Sequence, residues 1–394
     1  MNNVFLIKYG EIAIKGKNRY IFENRLVDTI RKNMKALGNF VVRKEQGRIM
    51  VEPIGEEEVD KELVINKLTR IFGIIGVAYG TKEEEVSMEA IKRLALHHMK
   101  ERCAEGPVTF KVETRRSDKR FPLQSMEVNA QIGEYLLEAL EGQVKVDVHQ
   151  PEVLLMVELR THTYVYSTTY KGAGGMPYGT NGKASLLLSG GIDSPVAGWM
   201  VAKRGVEVDA IYFHSPPYTS ERAKEKVVDL AKKVAVYTGG MRVHVVPFTE
   251  IQMTIYEKCP HEQLTLIMRR IMMRIAERIA IKNGNMALIT GESIGQVASQ
   301  TLQSLVVTDQ VVGMPVFRPL IGFDKEEIVQ ISKKIDTFET SILPYEDCCT
   351  IFVPKHPETK PKLESIERSE RILEDVIEEM MARAIEEMEI IQTL

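Results

Sequence analysis

The stretch Ser189-Gly190-Gly191-Ile192-Asp193-Ser194 carries residue types suited to phosphate chemistry. Glycines let backbone N–H groups close on an anion, and a helix N-terminus adds the positive end of its dipole. Asp193 and Ser194 fall in the first turn of a helical pattern, where a carboxylate can hold Mg²⁺ and a hydroxyl can donate to a phosphate oxygen. A strand–Ser-Gly-Gly–helix turn is also compatible with a tight structural corner. The nearby run "GTNGKAS" is not a Walker loop, because its spacing is short and Ala184 stands where Ser or Thr is needed. The adjacent cysteines Cys348 and Cys349 are poorly placed to bridge each other. Lys111, Arg115, Arg116, Lys119 and Arg120 interrupt an apolar strand pattern and read either as a charged loop or as a phosphate-binding patch. The histidines His97 and His98 lie in a helical pattern without a carboxylate or cysteine at ligand spacing, so a structural role is expected.

These residues need elements to position them. Before the glycine turn comes a continuous apolar run, "KASLLLS", and "VEVDAIYFH", "MRVHVVPF" and "NMALITG" follow at intervals filled by helical patterns. Non-alternating strands separated by helices imply a parallel sheet covered on both faces, whose ligands bind beyond the carboxyl ends of the strands. Upstream, "VFLIKYG", a helix over 18–36, "FVVRK" and "RIMVEP" form a first unit, closed by Pro53-Ile54-Gly55 and an acidic run. Residues 59–168 alternate helices and strands as a second unit, and "KGAGGMPYGTNGK" reads as a linker. The expected domains are therefore 1–58, 59–168 and 183–394, with a linker over 169–182. The last 32 residues read as one amphipathic acidic helix.

Composition sets the outer bounds. With 394 residues, 44% hydrophobic and 27% charged, the chain has material for two or three folded units. No apolar run approaches the roughly 18 residues of a membrane span, and the opening residues lack an h-region with a cleavage site, so a cytoplasmic protein is expected. Four cysteines without a CxxC pair exclude a disulfide framework or a zinc ribbon. The net charge is −3, yet residues 1–50 hold eleven Lys/Arg against four Asp/Glu, which points to a polyanionic partner.

"SGGIDS" resembles the signature of the PP-loop ATP pyrophosphatases, which cleave ATP between the α- and β-phosphates and adenylate a carbonyl oxygen. That accounts for the missing Walker lysine, because no γ-phosphoryl group is transferred. "KYGEIAIKGKNR", "RRSDKRFPLQSMEVNAQIG", "FHSPPYTSERAKEKV", "GESIGQVASQT", "RPLIGFDKEEI" and "LPYEDCCTIF" follow the order seen in tRNA 4-thiouridine synthetases, the tRNA uridine 4-sulfurtransferases. The resemblance covers nearly the whole chain. It implies an α/β protein with a small ferredoxin-like N-terminal domain, an RNA-binding THUMP domain and a doubly wound parallel-sheet PP-loop ATP pyrophosphatase domain. The family adenylates the C4 oxygen of the uridine at tRNA position eight, and sulfur from a persulfide then displaces AMP.

Carried over residue by residue, the resemblance makes Asp193 the carboxylate that orients Mg²⁺ and Lys325 the cation at the reaction centre. It makes Leu187, Leu188, Tyr212 and Phe213 the frame of the adenine, with Arg269, Gly291 and Gln300 completing the pocket around Ser189, Gly190, Gly191 and Ser194. The sulfur-bearing cysteine falls on Cys348 by spacing from Lys325 and on Cys349 by the residues that follow, so both stay candidates. The basic cluster at 111–120 would contact tRNA phosphates, and Arg270, Arg274 and Arg278 would form a solvated or tRNA-facing helix stripe. Cys103 and Cys259 are expected to be ordinary semi-buried cysteines. Long family members carry a C-terminal rhodanese domain; none follows here, so direct sulfur handover from a cysteine desulfurase to Cys348 or Cys349 is expected, and a role in thiamine thiazole synthesis, tied to that extension, stays open. A homodimer with one tRNA across two subunits is compatible with this reading. Two others stand beside it: a PP-loop synthetase forming an amide on a small metabolite, with no use for the first 170 residues, and a non-catalytic tRNA-binding protein, against which the intact loop and Lys325 argue.

Overall fold

The computed structural model describes residues 2–45, 47–55, 59–117, 120–345 and 357–393. The chain divides into two units, Met1–Gly175 and Met176–Leu394. No helix among the described residues is long and apolar enough to cross a membrane.

The first unit runs β1 (Asn2–Tyr9), α1 (Arg19–Met34), β2 (Phe40–Glu45), β3 (Arg48–Pro53), α2 (Lys61–Thr69), β4 (Ile74–Glu83), α3 (Met88–Arg102), β5 (Val108–Arg116), α4 (Ser125–Ala139), β6 (Val144–Val146), β7 (Val153–Leu159) and β8 (Thr163–Lys171). All eight strands join one sheet in the order β2-β3-β1-β4-β8-β7-β5-β6. The first four strands, with α1 and α2, form a ferredoxin-like βαββαβ arrangement. One core gathers α1 and α2 over β1, β3 and β4, and a second gathers α3 and α4 over β5, β7 and β8. The acidic run after Pro53 was expected to end the first domain at 58; instead α2, through Val64, Ile65 and Leu68, packs into the first core. A βαββαβ unit buries its sheet face only when its second helix lies on it, so the boundary falls later. The glycine-rich stretch expected as a linker over 169–182 is also shared out. β8 runs to Lys171, Gly172 and Gly174 N–H groups donate to Ile75 and Ile74 carbonyls, and Met176 N–H donates to Lys203 of the second unit's own fold.

His98 is buried with Nε2 2.7 Å from Ser167 Oγ, and burial lowers its pKa to about 4. Cys103 and Cys259 are free and buried, and burial raises both thiols, Cys259 to about 11. Neither has the thiolate character of a nucleophile.

The second unit runs β9 (Lys183–Leu187), α5 (Asp193–Ala202), β10 (Glu207–His214), α6 (Glu221–Thr238), β11 (Met241–Pro247), α7 (Thr249–Lys258), α8 (Leu264–Lys282), β12 (Leu288–Ile289), α9 (Leu302–Asp309), β13 (Val316–Phe317), α10 (Lys325–Lys334), α11 (Phe338–Ser341), α12 (Leu363–Glu370), α13 (Glu374–Glu386) and β14 (Glu389–Thr393). Its sheet order is β13-β12-β9-β10-β11-β14. β9 pairs in parallel with both β10 and β12, and β14 adds an antiparallel edge to β11. The single terminal helix expected from sequence is thus two helices and a strand, since Glu389–Thr393 finds backbone partners on β11 that its own pattern does not announce. The chain builds β10 and β11 on one side of β9, then returns to build β12 and β13 on the other. That reversal opens a crevice at the carboxyl end of β9.

Candidate active site

The Ser-Gly-Gly turn lies in this crevice, between β9 and α5. Its shape is set from within: Ser189 N–H donates to Ser194 Oγ at 2.9 Å, Gly191 N–H donates to Ser189 Oγ at 3.2 Å, and Ser194 Oγ lies 3.3 Å from Ser189 O. Ser194 is buried, so in this arrangement its hydroxyl braces the loop. Gly291, at the end of β12, closes against the start of α5. A Cβ there would lie 2.7 Å from Ser194 N and 2.8 Å from the Asp193 carbonyl carbon, so no side chain fits.

A cavity of about 450 Å³ opens beside the turn, within the range of small-molecule sites. Leu187, Leu188, Ser189, Gly191, Asp193, Ser194, Tyr212, Phe213, Arg269, Gly291 and Gln300 all line it, so eleven residues expected from sequence converge on one space. Gly190 belongs to the same turn. Tyr212 and Phe213 come from the end of β10, where Phe213 stacks edge-on against Phe248 with ring centroids 5.2 Å apart. Gln300 closes the loop after β12, accepting from Ser293 N–H at 3.4 Å.

Asp193 and Lys325 stand 132 positions apart in sequence and meet here: Lys325 Nζ donates to Asp193 Oδ1 at 2.7 Å. The lysine sits at the first position of α10, where the dipole disfavours a cation. Asp324 caps that helix, and Glu326 and Glu327 fill its first turn, offsetting the penalty. Asp193 Oδ2 accepts from Gln296 Nε2 at 2.7 Å. Each carboxylate oxygen retains a further lone pair for a metal. Mg²⁺ is commonly held by one or two carboxylates together with substrate phosphates and water. No cluster of three metal-ligating side chains exists among the described residues.

Sequence reasoning missed the charge array that holds Arg269. Glu292 is buried, pairs with Arg269, and accepts from Arg318 Nε at 2.6 Å and Thr290 Oγ1 at 2.7 Å. Arg318 continues the chain to Asp309. The signal was present as polar residues directly after the apolar run of β12, but nothing local linked them to Arg269 or Arg318.

The arginine stripe is corrected. Arg270 is buried; its Nη1 donates to Val307 O at 2.6 Å and its Nη2 to Glu370 at 2.9 Å. Arg274 Nη1 lies 2.9 Å from Glu370, and Arg278 Nη2 2.7 Å from Glu378. The acidic C-terminal helices pack on α8 and neutralise a face that looks solvent-directed in isolation.

Lys111, Arg115 and Arg116 of the basic cluster do not share one task. Side chains alternate along β5, so Lys111 and Arg115 share the face opposite buried Phe110, Val112 and Thr114. Lys111 donates to Val148 O at 3.2 Å and exposed Arg115 to Glu113 at 3.0 Å. Arg116 instead donates to the Phe121 and Leu123 carbonyls and braces the following loop. Arg120 is exposed, while Lys119, Cys348 and Cys349 lie outside the described residues. The same sheet carries an unforeseen ionic cluster. Burial alone would raise Glu158, but Arg48, Tyr166 and Arg160 outweigh it and hold its pKa at about 2.

Parallel strands reversing at β9, and a glycine turn there without a Walker lysine, mark the second unit as a nucleotide-binding domain of the PP-loop kind. The family model described as "Thiamine biosynthesis protein (ThiI)" matches residues 179–374, the ThiI ferredoxin-like domain residues 4–78 and the THUMP domain residues 85–168. The chain is 56% identical over 392 residues to a probable tRNA sulfurtransferase of Agathobacter rectalis, and 55% identical over 392 residues to one of Acetivibrio thermocellus, covering 99% of each chain in both cases. A crystal structure of a 4-thiouridine synthetase–RNA complex with bound ATP superposes with a TM-score of 0.89 at 39% identity, over 100% of both chains. The chain belongs to the tRNA sulfurtransferase (ThiI) family.

Proposed function

We propose that this protein is an ATP-dependent tRNA sulfurtransferase that converts the uridine at tRNA position eight to 4-thiouridine, releasing AMP and pyrophosphate. The observation that carries this reading is the 2.7 Å meeting of Asp193 and Lys325 at the edge of a cavity floored by the Ser-Gly-Gly turn, in a chain related along its length to tRNA sulfurtransferases.

In this reading ATP occupies the cavity. Leu187, Leu188, Tyr212 and Phe213 enclose the adenine, and the backbone N–H groups of the glycine turn with the start of α5 receive the phosphates. Gly291 permits the close approach of its strand, Arg269 is aimed by Glu292, and Gln300 holds the loop that closes the pocket. Asp193 would hold Mg²⁺, which when bound offsets the charge of the pyrophosphate as it leaves. Lys325 exchanges Asp193 for the α-phosphate and stabilises the charge that builds there as uridine O4 attacks. The pyrimidine N3 proton passes to solvent as the adenylate forms. A carbonyl oxygen leaves poorly and AMP leaves well, so C4 is then open to sulfur. The terminal sulfur of a persulfide on Cys348 or Cys349 displaces AMP and leaves a cysteine–S–S–C4 link; an external dithiol then attacks the cysteine sulfur, releases 4-thiouridine, and is itself oxidised to a disulfide as it frees the cysteine thiol. Pro357 and Glu358 line the cavity, and Cys349 stands eight positions before Pro357, a reach of at most ~29 Å. Lys111, Arg115, Lys119 and Arg120 contact tRNA phosphates, while Arg116 shapes the loop beside them. Sulfur comes from a cysteine desulfurase, the protein acts in the cytoplasm, and a homodimer lets one tRNA reach two subunits.

The test is thiolation of an unmodified tRNA transcript with ATP, Mg²⁺ and a desulfurase or sulfide, read by 4-thiouridine absorbance. With the desulfurase as donor, formation that fails with Cys348→Ser or Cys349→Ser identifies the sulfur carrier, whereas free sulfide attacks the adenylate directly and needs neither thiol. ATP consumed on a small molecule with no thiouridine made would overturn the reading.

A further inference from the structure

We propose that Gln296 is a positioning residue for Asp193, the rigid arm that keeps the carboxylate aimed when Lys325 moves away; this rests on the reading that the cavity takes ATP with a divalent cation. Two arms grip the carboxylate, one on each oxygen: Lys325 Nζ on Oδ1 and Gln296 Nε2 on Oδ2, both at 2.7 Å. They differ in stiffness. Lys325 is a half-exposed point charge on a four-carbon stem with three rotating donors. Gln296 presents a planar amide from a loop fastened at several points. Gly295 precedes it at φ +76, a conformation that favours glycine, and Gly295 N–H donates to Gln300 O at 2.9 Å. Gln300 N–H donates to Val297 O at 2.9 Å, and Ser293 Oγ donates to Phe323 O at 2.8 Å. The loop that carries Gln296 is therefore tied to the segment leading into α10.

The amide can face the carboxylate in one orientation only, since ionised carboxylate oxygens accept and do not donate. Its own Oε1 is enclosed and accepts no hydrogen bond among the described residues. An aspartate χ2 torsion is soft and roughly two-fold, so one flexible lysine leaves the carboxylate free to swing, whereas a second donor on the other oxygen sets its plane. Lys325 has three donors, and turning them to the α-phosphate loosens its hold on Asp193. When it exchanges, Gln296 is the arm that stays. A neutral amide suits this task because it aims the carboxylate without cancelling the charge a cation needs.

The test separates aim from fold by measuring metal affinity without turnover. Mn²⁺ binding to the complex with α,β-methylene-ATP is followed by electron paramagnetic resonance for wild type and Gln296→Met. The variant is expected to bind Mn²⁺ at least ~5-fold more weakly, while its affinity for the analogue in EDTA stays within ~3-fold of wild type. In tRNA-dependent pyrophosphate release, kcat should fall ~10-fold with KM for ATP within ~3-fold. Lys325→Met removes a cation that competes for Asp193, so by itself it should not weaken Mn²⁺ binding, and Gln296→Met should cost about the same factor in that background as in wild type. Mn²⁺ affinity of Gln296→Met within ~2-fold of wild type, or a Gln296→Met loss that disappears in the Lys325→Met background, would sink the proposal. A wild-type protein that releases no pyrophosphate with tRNA defeats the functional reading instead, and the Mn²⁺ measurement still decides the role of Gln296.

Discussion

Two ion-pair clusters of the catalytic unit have similar chemistry and opposite settings. Lys325 and Asp193 are 47% and 18% exposed and meet beside the cavity proposed to take ATP. Arg270 and Glu370 are 3% and 8% exposed, and Glu370 also holds Arg274. A half-solvated lysine loses little when it changes partner, because water and a phosphate can replace a carboxylate. A buried guanidinium has no such alternative, so its pair is a permanent fastening between α8 and α12. Charge pairing by itself says nothing of function; access to a replacement partner does.

The sharpest way to break this contrast is Asp193→Ala. Pyrophosphate release with tRNA should fall by ~100-fold or more, while the melting temperature stays within ~2 °C of wild type. A large loss of stability with activity retained would reverse the assignment. Glu370→Ala should do the opposite. It strands two arginines, one of them buried, and is expected to cost about 3 kcal/mol, or about 8 °C in Tm, with kcat of the folded protein within ~2-fold of wild type.

The same contrast between buried and exposed groups extends to the first unit. His98 titrates at about 4 when folded against 6.5 for the free side chain, because burial disfavours the charged ring. Between these values the unfolded chain binds a proton that the folded chain does not. Its contribution is therefore fully present above pH 6.5 and is lost as pH falls towards 4. Acid denaturation curves should show about 3 kcal/mol lost over that window, and His98→Asn should flatten the dependence there. The smallest effect is expected for exposed Arg115→Ala: tRNA affinity reduced a few-fold and the salt dependence of binding lowered by about one unit of slope, measured by filter binding across salt concentrations. An unchanged slope would remove Arg115 from the RNA-contacting set.

Much of the site was legible because its signals are local. A glycine turn after an apolar strand and before a helix declares its chemistry through backbone geometry alone, and eleven residues chosen from sequence line one cavity. The basic cluster was less legible, since five nearby charges read as one patch until strand alternation sends Arg116 to a different task from Lys111 and Arg115. Gln296 stood unmarked within a recognised motif because its partner is a side chain 103 positions away.

The sequence by itself determined the order of most helices and strands ahead of the C-terminal segment, the parallel character of the second sheet, the glycine turn and the family. These follow from periodicity, glycine placement and motif order, all of which act over short distances along the chain. Only the tertiary structure decided that α2 completes the ferredoxin-like unit, that β14 closes the second sheet edge, that Arg270 is a buried clamp while Arg269 lines the cavity, and that Asp193 is gripped from two sides. Those outcomes depend on which helix covers which face and on pairs more than ninety positions apart, and burial sets their energy only after the chain has packed.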